Sequence, residues 1–503
     1  MRLADLFAYD VETEARRSGR PETYLFFAAA FTAILFLSHA GFLGVPYFWD
    51  EAGYYAPAAL DLFEDGRWIP VTTTPNVHPP LVRTMLALTW HVTGVSIESA
   101  RIVMLLIAGF SALGAFLLAI ELCRPISGSP AFLAILFLIA CPLFFTQAML
   151  IQLDMPAMAF TTWALFLFLR GRMGLCVAAC VLLVLTKETG ALVPVVLGLW
   201  CIGEKRLRAA AWFALPAMVL FAWLLYLRLA TGSWFGDAGF AEYNATYPLH
   251  PARLISAVIR RVTFLFVENF HWIGAIAIAA GVRLKLYQSR GWRLAAIFAV
   301  AHTLMVCLFG GAILDRYLLP VLPFFYTAVA AALSALPPQA RLAAATALLA
   351  GLFVSLFWSP PFWPTPLDNN LAMVRFAEVH RQAAQFIETQ VARKRIVTAW
   401  PMSIELKRPE LGYVTNPVPL VEELPDFRNR LPADDGAPMA FVLFSRDRQP
   451  PLTIFREPLL KAFAERYLNM YTPIDGAVLQ KTYGLRRTIR FESHGQWVEI
   501  YGR

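Results

Sequence analysis

Charge is scarce in this chain. Only 16% of the residues are Asp, Glu, Lys or Arg against 58% hydrophobic, and a mean hydropathy of +0.55 is too high for an ordinary soluble globular protein. There is no glycine-rich nucleotide-binding loop and no internal repeat, which argues against the nucleotide-dependent and solenoid classes. Cysteine is sparse too: Cys123, Cys141, Cys176, Cys180, Cys201 and Cys307 have no metal-ligand company, and none falls in the polar C-terminal third. Neither a disulfide framework nor a zinc site is expected. The net charge is +8, but the basic residues sit in short loops between apolar segments and form no stripe, a pattern of lipid topology that points to no nucleic-acid partner. Residues 1–22 are polar at the start and mixed in charge, without the n-region and h-region of a cleaved signal, so Thr23 to His39 reads as a retained anchor.

What the chain does have is long hydrophobic runs. A helix needs about 20 apolar residues to cross the hydrocarbon, with roughly 17 acceptable. Eleven such spans are expected: Thr23 to Gly41, Ala100 to Leu122, Pro130 to Leu150, Met155 to Leu169, Gly174 to Thr186, Gly190 to Ile202, Ala209 to Ala230, Val262 to Val282, Leu294 to Gly310, Tyr317 to Leu336 and Leu342 to Trp358. The run Leu81 to Gly94 contains Arg83, His91 and two threonines and is read as interfacial, not crossing. With that choice one side receives Arg16, Arg17, Arg20, Arg124, Arg170, Arg172, Lys205, Arg206, Arg208, Arg283, Lys285, Arg290, Arg293 and Arg341. That side is the cytoplasm by the positive-inside rule.

The same parity puts the loop 42–99, the turn at Asp154, the turn at Lys187 and Glu188 and the turn at Asp315 and Arg316 on the outer face. A further outer loop, Thr231 to Arg261, is rich in glycine, aromatic and basic residues and is expected to fold over the others as a lid. After the proline cluster Ser359 to Pro366, residues 367–503 have the composition of a soluble extracytoplasmic α/β domain. Its expected helices lie around Phe376 to Ile387 and Pro458 to Tyr467, and its strands at Ile396 to Trp400, Met439 to Phe444 and Trp497 to Tyr501.

Five short segments carry candidate chemistry, each with a bland alternative. Asp50 and Glu51 follow the first span among aromatics, as a base or acceptor site or as solvated acids in an interfacial aromatic belt. His78 precedes Pro79 and Pro80 at a helix start, as a ligand or as part of a turn. Asp154, between two apolar runs, is costly to bury and hence functional by default, or an N-cap before Pro156. Lys187 and Arg316 bind an anion or snorkel to the interface, with Asp315 as a neighbour able to neutralise Arg316.

Taken in order, the Asp50-Glu51 pair, His78 to Leu81, Asp154 to Pro156, Thr186-Lys187 and Arg316 to Pro320 resemble the GT-C glycosyltransferases of the protein O-mannosyltransferase and lipid A aminoarabinose transferase type, over roughly Tyr24 to Trp358. The resemblance implies a polytopic α-helical membrane protein with its transmembrane domain at 23–358 and its catalytic loop at 42–99. It implies an inverting transferase that takes a sugar from a polyprenyl-phosphate donor to an acceptor hydroxyl of protein, lipid A or polysaccharide, outside the inner membrane. In such enzymes the first acid is the proposed base, which carries over onto Asp50, and the second acid carries over onto Asp154. Glu51, His78, Lys187 and Arg316 become substrate-binding candidates, with the two cations suited to the phosphate. No cofactor is assigned, and a divalent cation is left open. Gly53 departs from relatives that often carry a larger or basic residue there, and the threonines from Val71 to Thr74 leave the acceptor pocket unassigned. Donors among relatives include mannose, galacturonic acid, aminoarabinose and arabinose.

The main reading from another class is a polytopic secondary transporter of a small or lipid-linked substrate. It would show inverted repeats and charges at the membrane midplane. A non-enzymatic membrane scaffold that displays the C-terminal domain would not need acids, histidine and cations concentrated in the outer turns.

Overall fold

In the computed structural model residues 21–124, 126, 130–360, 365–424, 438–446, 457–468 and 474–502 are described. Arg16, Arg17 and Arg20 and positions 361–364 of the proline cluster lie outside them. The chain divides into two compact units. One takes in the chain up to Ala40, Thr74–Val82 and Ile102–Phe357; the other takes in Gly41–Thr73, Arg83–Arg101 and the chain from Trp358 onward.

The first unit is a helical bundle. Six helices are long and apolar enough to cross a membrane: Glu22–Phe42, Ile97–Leu122, Leu207–Thr231, Arg290–Leu308, Asp315–Ser334 and Pro338–Phe357. A bent pair, Pro251–Phe266 with Glu268–Arg283, and four shorter apolar helices, Pro130–Ala140, Asp154–Leu169, Met173–Thr186 and Glu188–Gly203, complete the set. Every expected span thus has a helical counterpart. Burial separates centre from periphery: 83% of the most apolar window of Asp315–Ser334 and 72% of that of Ile97–Leu122 are buried, against 22% for Leu207–Thr231. Close approach rests on small residues, as is usual between membrane helices. At Gly109 a side chain would collide with Thr32. Leu118, Leu165, Leu183, Leu197, Phe298 and Phe324 belong to one continuous core.

Two expected spans are interrupted. Pro130 to Leu150 breaks at Cys141, whose extended backbone (ψ 124°) is the conformation imposed on a residue before proline. The segment read as Val262 to Val282 is two helices meeting at 46°, because Asn269 and Phe270 both adopt positive φ. The expected lid region, Thr231 to Arg261, ends in the regular helix Pro251–Phe266. Leu81–Thr93 is a helix of 13 residues, too short to cross.

The second unit contains a five-stranded sheet of order β2-β1-β3-β5-β4. β1 (Arg395–Ala399) runs parallel to both β2 (Val421–Leu424) and β3 (Met439–Phe444). β4 (Arg486–Ser493) and β5 (Gln496–Gly502) form a hairpin whose two-residue turn, His494-Gly495, has positive φ at both positions. β3 is buried at every residue, as a central strand should be. The helices Ala372–Phe386 and Pro458–Tyr467 and three of the strands lie where the sequence places them. Residues Gly41–Thr73 and Arg83–Arg101 pack into this same unit, so the compact body is larger than residues 367–503.

Candidate active site

In the helical unit three chain turns converge on Asp154, the first residue of the helix Asp154–Leu169. Lys187 occupies an extended residue between the helix Met173–Thr186 and the short turn Glu188–Ala191, and its Nζ donates to Asp154 Oδ1 at 2.6 Å. Arg316, in the 3-10 segment Asp315–Val321, brings Nε to 3.3 Å from Asp154 Oδ2. All three side chains are buried. Below them lies Tyr317, with Lys187 Nζ 4.4 Å, and the guanidinium carbons of Arg261 and Arg316 5.5 and 5.7 Å, from its ring centroid. A ring face that attracts cations helps to hold like charges together. His302 fixes this residue from the other side by donating Nε2–H to the Tyr317 carbonyl at 2.8 Å.

The helix Pro251–Phe266 adds three arginines. Arg260 makes a forked pair with Asp315, Nε to Oδ1 at 3.2 Å and Nη2 to Oδ2 at 2.6 Å. Arg261 donates to the Leu314 carbonyl at 2.5 Å and lies 3.6 Å from Asp315, and Arg253 donates to the Gly311 carbonyl. Asp315 therefore answers Arg260 and Arg261, and Arg316 takes its counter-charge from Asp154, contrary to the sequence expectation. The helix is inverted relative to one in a soluble protein. Its arginines are buried, while Ile255, Val258, Ile259 and Val262 are 40–60% exposed.

His78, from the Thr74–Val82 segment, meets Glu188 with Nδ1 2.9 Å from Oε2, and Phe240 closes edge-on against its ring. Counting Glu188, the four cations Lys187, Arg260, Arg261 and Arg316 stand with the three carboxylates Asp154, Asp315 and Glu188. The surplus within this set is positive, in surroundings where charge is costly to bury. Such an arrangement is suited to an anion. Gln152, two residues before Asp154, is fully buried, and neither of its amide atoms has a hydrogen-bond partner among the described residues. Arg253, Arg260, Arg261 and Gln152 escaped the sequence reading, although arginines at i, i+7 and i+8 share one helical face.

Asp50 and Glu51 stand in the other unit. Asp50 is half-buried between Trp49, a non-glycine residue with φ +43°, and a π-helical turn Glu51–Tyr55. Both are features that persist where surrounding structure enforces them, and they concentrate at functional sites. The enforcing contacts are visible. Glu51 is fully buried; it accepts from both terminal nitrogens of Arg101, with Nη2 at 3.0 Å, and from the Phe48 N–H at 2.9 Å. Thr73 Oγ1 donates to the Gly53 carbonyl at 2.6 Å. Asp61 gathers Thr72 Oγ1 at 2.6 Å and the N–H groups of Val71 and Thr72 at 2.7 and 2.9 Å. Thr72 and Thr73 are thus engaged in holding the loop. Tyr413 donates to the Tyr47 carbonyl at 2.8 Å, and burial pushes both phenols above their ordinary range. Among the described residues no group of three or more His, Cys, Asp or Glu side chains is placed to hold a metal ion.

No protein-family model matches the chain, and no curated protein matches it in sequence. Its fold, however, is shared: the chain is a multi-pass membrane protein of GT-C architecture with a small C-terminal sheet. ArnT from Cupriavidus metallidurans, in a crystal structure bound to undecaprenyl phosphate, has a TM-score of 0.58 at 14% identity, covering 96% of this chain and 98% of that one. The apo state of the same protein has a TM-score of 0.55 at 16% identity, covering 95% and 97%. The archaeal oligosaccharyltransferase AglB from Archaeoglobus fulgidus, in complex with an inhibitory peptide and a dolichol-phosphate, has a TM-score of 0.46 at 11% identity, covering 81% of this chain and 61% of that one.

Proposed function

We propose that the chain is a membrane glycosyltransferase that uses a polyprenyl-phosphate-linked sugar and passes the sugar to an acceptor hydroxyl of a protein, glycolipid or polysaccharide. The observation that carries this is the buried cationic surplus around Asp154 and Asp315, within a fold whose relative ArnT is seen with undecaprenyl phosphate. The acceptor oxygen attacks the anomeric carbon, the carbon–oxygen bond to phosphate breaks with inversion, and the acceptor proton goes to Asp50. Charge accumulates on the departing phosphate, which Lys187 and Arg316 neutralise with support from Arg261. Asp154 aims those two cations, His78 with Glu188 contacts the donor or acceptor, and Glu51 anchors the turn that bears Asp50. A divalent cation would add to phosphate neutralisation, and no step above requires one. The reaction is assigned to the outer face of the inner membrane, since that orientation puts the basic loops inside. We assign residues 367–503 to the same side, working as one body with Gly41–Thr73 and Arg83–Arg101; their common packing supports this. The transporter alternative finds no support in a GT-C architecture.

The test is transfer of radiolabelled sugar by purified protein from a panel of polyprenyl-phosphate donors. One donor should support turnover, and Asp50→Asn should lower it about 100-fold, within the general-base range, with undecaprenyl phosphate affinity unchanged. Normal turnover by Asp50→Asn in a folded preparation would move the base to Asp154 or Glu51. Equal affinity for undecaprenol and undecaprenyl phosphate would remove the phosphate site.

A further inference from the structure

The turn that carries Asp50 is packed against the carboxyl ends of the parallel strands. β1 ends at Ala399 and β3 at Phe444, and the carboxyl edge of such strands is where α/β sheets carry ligands and functional loops. In this unit that edge receives the chain's own residues. Trp49 meets Trp400, Phe376 and Phe444 edge-on, with ring centroids 5.3, 5.7 and 6.4 Å apart, and the Arg446 guanidinium lies 5.7 Å over the Trp49 ring. Tyr54, on the far side of the turn, lies 5.0 Å from the Trp400 ring. Gly53 sits between them. Its backbone is not left-handed, so its φ does not demand glycine. The indole does: a Cβ at Gly53 would overlap Trp400 at Cζ2, Cε2 and Nε1.

We infer that Trp400 is a positioning residue for Asp50. Its indole, delivered by the C-terminal sheet, lies flush on Gly53, and Thr73 holds the carbonyl of the same residue. The π-helical turn is gripped at Gly53 and Tyr54 and the residue before Asp50 at Trp49, so the backbone that bears Asp50 is held on both sides. The role rests on reading Asp50 as the base, and it gives the C-terminal domain a share in the reaction. A sheet that served only as a passive appendage would not need an indole pressed onto the backbone of a loop more than 300 residues away in the chain.

The experiment uses the full chain in lipid nanodiscs with Gly53→Ala, Trp400→Ala, Trp400→Phe and the Gly53→Ala/Trp400→Ala double variant. Hydrogen exchange is read over Trp49–Ala56, turnover with the donor found above, and binding with undecaprenyl phosphate. Gly53→Ala should speed exchange and lower kcat, each by about tenfold or more, because an overpacked site must open. Undecaprenyl phosphate affinity should stay within about twofold, and Trp400→Phe should restore most of the protection lost in Trp400→Ala. In the Trp400→Ala background, adding Gly53→Ala should cost less than about twofold, since the two effects share one contact. The inference is overturned if Gly53→Ala does equal damage with and without the indole, or if Trp400→Ala leaves exchange and kcat unchanged. If Asp50→Asn retains transfer while the exchange coupling holds, the base assignment fails and the packing stands. If Asp50→Asn abolishes transfer and the coupling is absent, the positioning role alone fails.

Discussion

Replacing Arg260 by methionine separates the cost of a buried charge from the worth of the cationic surplus. Arg260 grips Asp315 through two hydrogen bonds, at 3.2 and 2.6 Å, and the next cation, Arg261, is 3.6 Å away and already committed to the Leu314 carbonyl. Arg260→Met therefore takes the forked partner from a fully buried carboxylate, at a cost of about 3–5 kcal/mol, a large part of a typical total of 5–15. Arg260→Met/Asp315→Leu removes both charges and should recover most of that loss. The surplus is unchanged by the double substitution, so undecaprenyl phosphate should still bind within about threefold of the parent. Arg316→Ala removes one cation and leaves its acid, Asp154, in place. It should weaken binding by about ten- to hundredfold, the worth of one charge-assisted contact of roughly 1.5–3 kcal/mol. The assay is thermal unfolding in detergent with and without undecaprenyl phosphate, where ligand-induced stabilisation reports affinity. If the charge-neutral pair bound as weakly as Arg316→Ala, the surplus would not be what holds the phosphate.

Gln152→Leu should stabilise the apoprotein or leave it unchanged, because a buried amide without partners is replaced by an apolar group; loss of turnover alongside would mark Gln152 as a substrate contact. The six cysteines are all buried, so labelling by an impermeant thiol reagent in spheroplasts should start from a low background. The exposed substitutions Thr74→Cys and Thr482→Cys should react and Gln288→Cys should not, and the opposite pattern would reverse the assigned orientation. In the C-terminal region Glu388 accepts from the N–H groups of Thr415 at 3.0 Å and Asn416 at 2.7 Å. Burial pushes its carboxyl up, but these bonds outweigh it and hold the group below its ordinary value of 4.5. A lowered carboxyl stabilises the fold at pH above that value and loses its contribution as pH falls through the lowered one. Protection of the 413–418 segment from exchange should therefore drop in acid, and Glu388→Gln should flatten that dependence.

Much of the bundle is legible in hydropathy, because a lipid-facing helix advertises itself by length and composition alone. Asp154, Lys187 and Arg316 could be picked out since ionisable residues between apolar runs are costly, and the fold brings all three to one point. Arg260 and Arg261 were hidden by their neighbourhood: glycines and aromatics from Thr231 onward read as loop, and the helical spacing of the arginines sits at its end. Arg101 was concealed inside an expected span, where its basic charge gave no hint that Glu51 would need it. The break at Pro142 follows from the proline, whereas the left-handed Asn269 carries only the weak mark of a residue type that tolerates positive φ, and Phe270 carries none. β2 and β4 were missed because they are edge strands; half-exposed runs such as Val421–Leu424 and the charged Arg486–Ser493 lack the apolar alternation that betrays β3's neighbours.

The inverted helix Pro251–Phe266 also turns the usual rules of mutational tolerance inside out. On most helices the concealed stripe accepts only apolar side chains and the open stripe accepts almost anything polar. Here Arg253, Arg260 and Arg261 occupy the concealed stripe and aliphatic residues the open one. Variation should run freely among Ile, Val, Leu and Phe at 255, 258, 259 and 262, and a single lysine there should be rejected by the hydrocarbon. An aliphatic residue at 260 would satisfy any measure of membrane hydropathy and still strand Asp315. A saturation library of this helix would therefore rank its substitutions in nearly the reverse of the order that burial alone assigns.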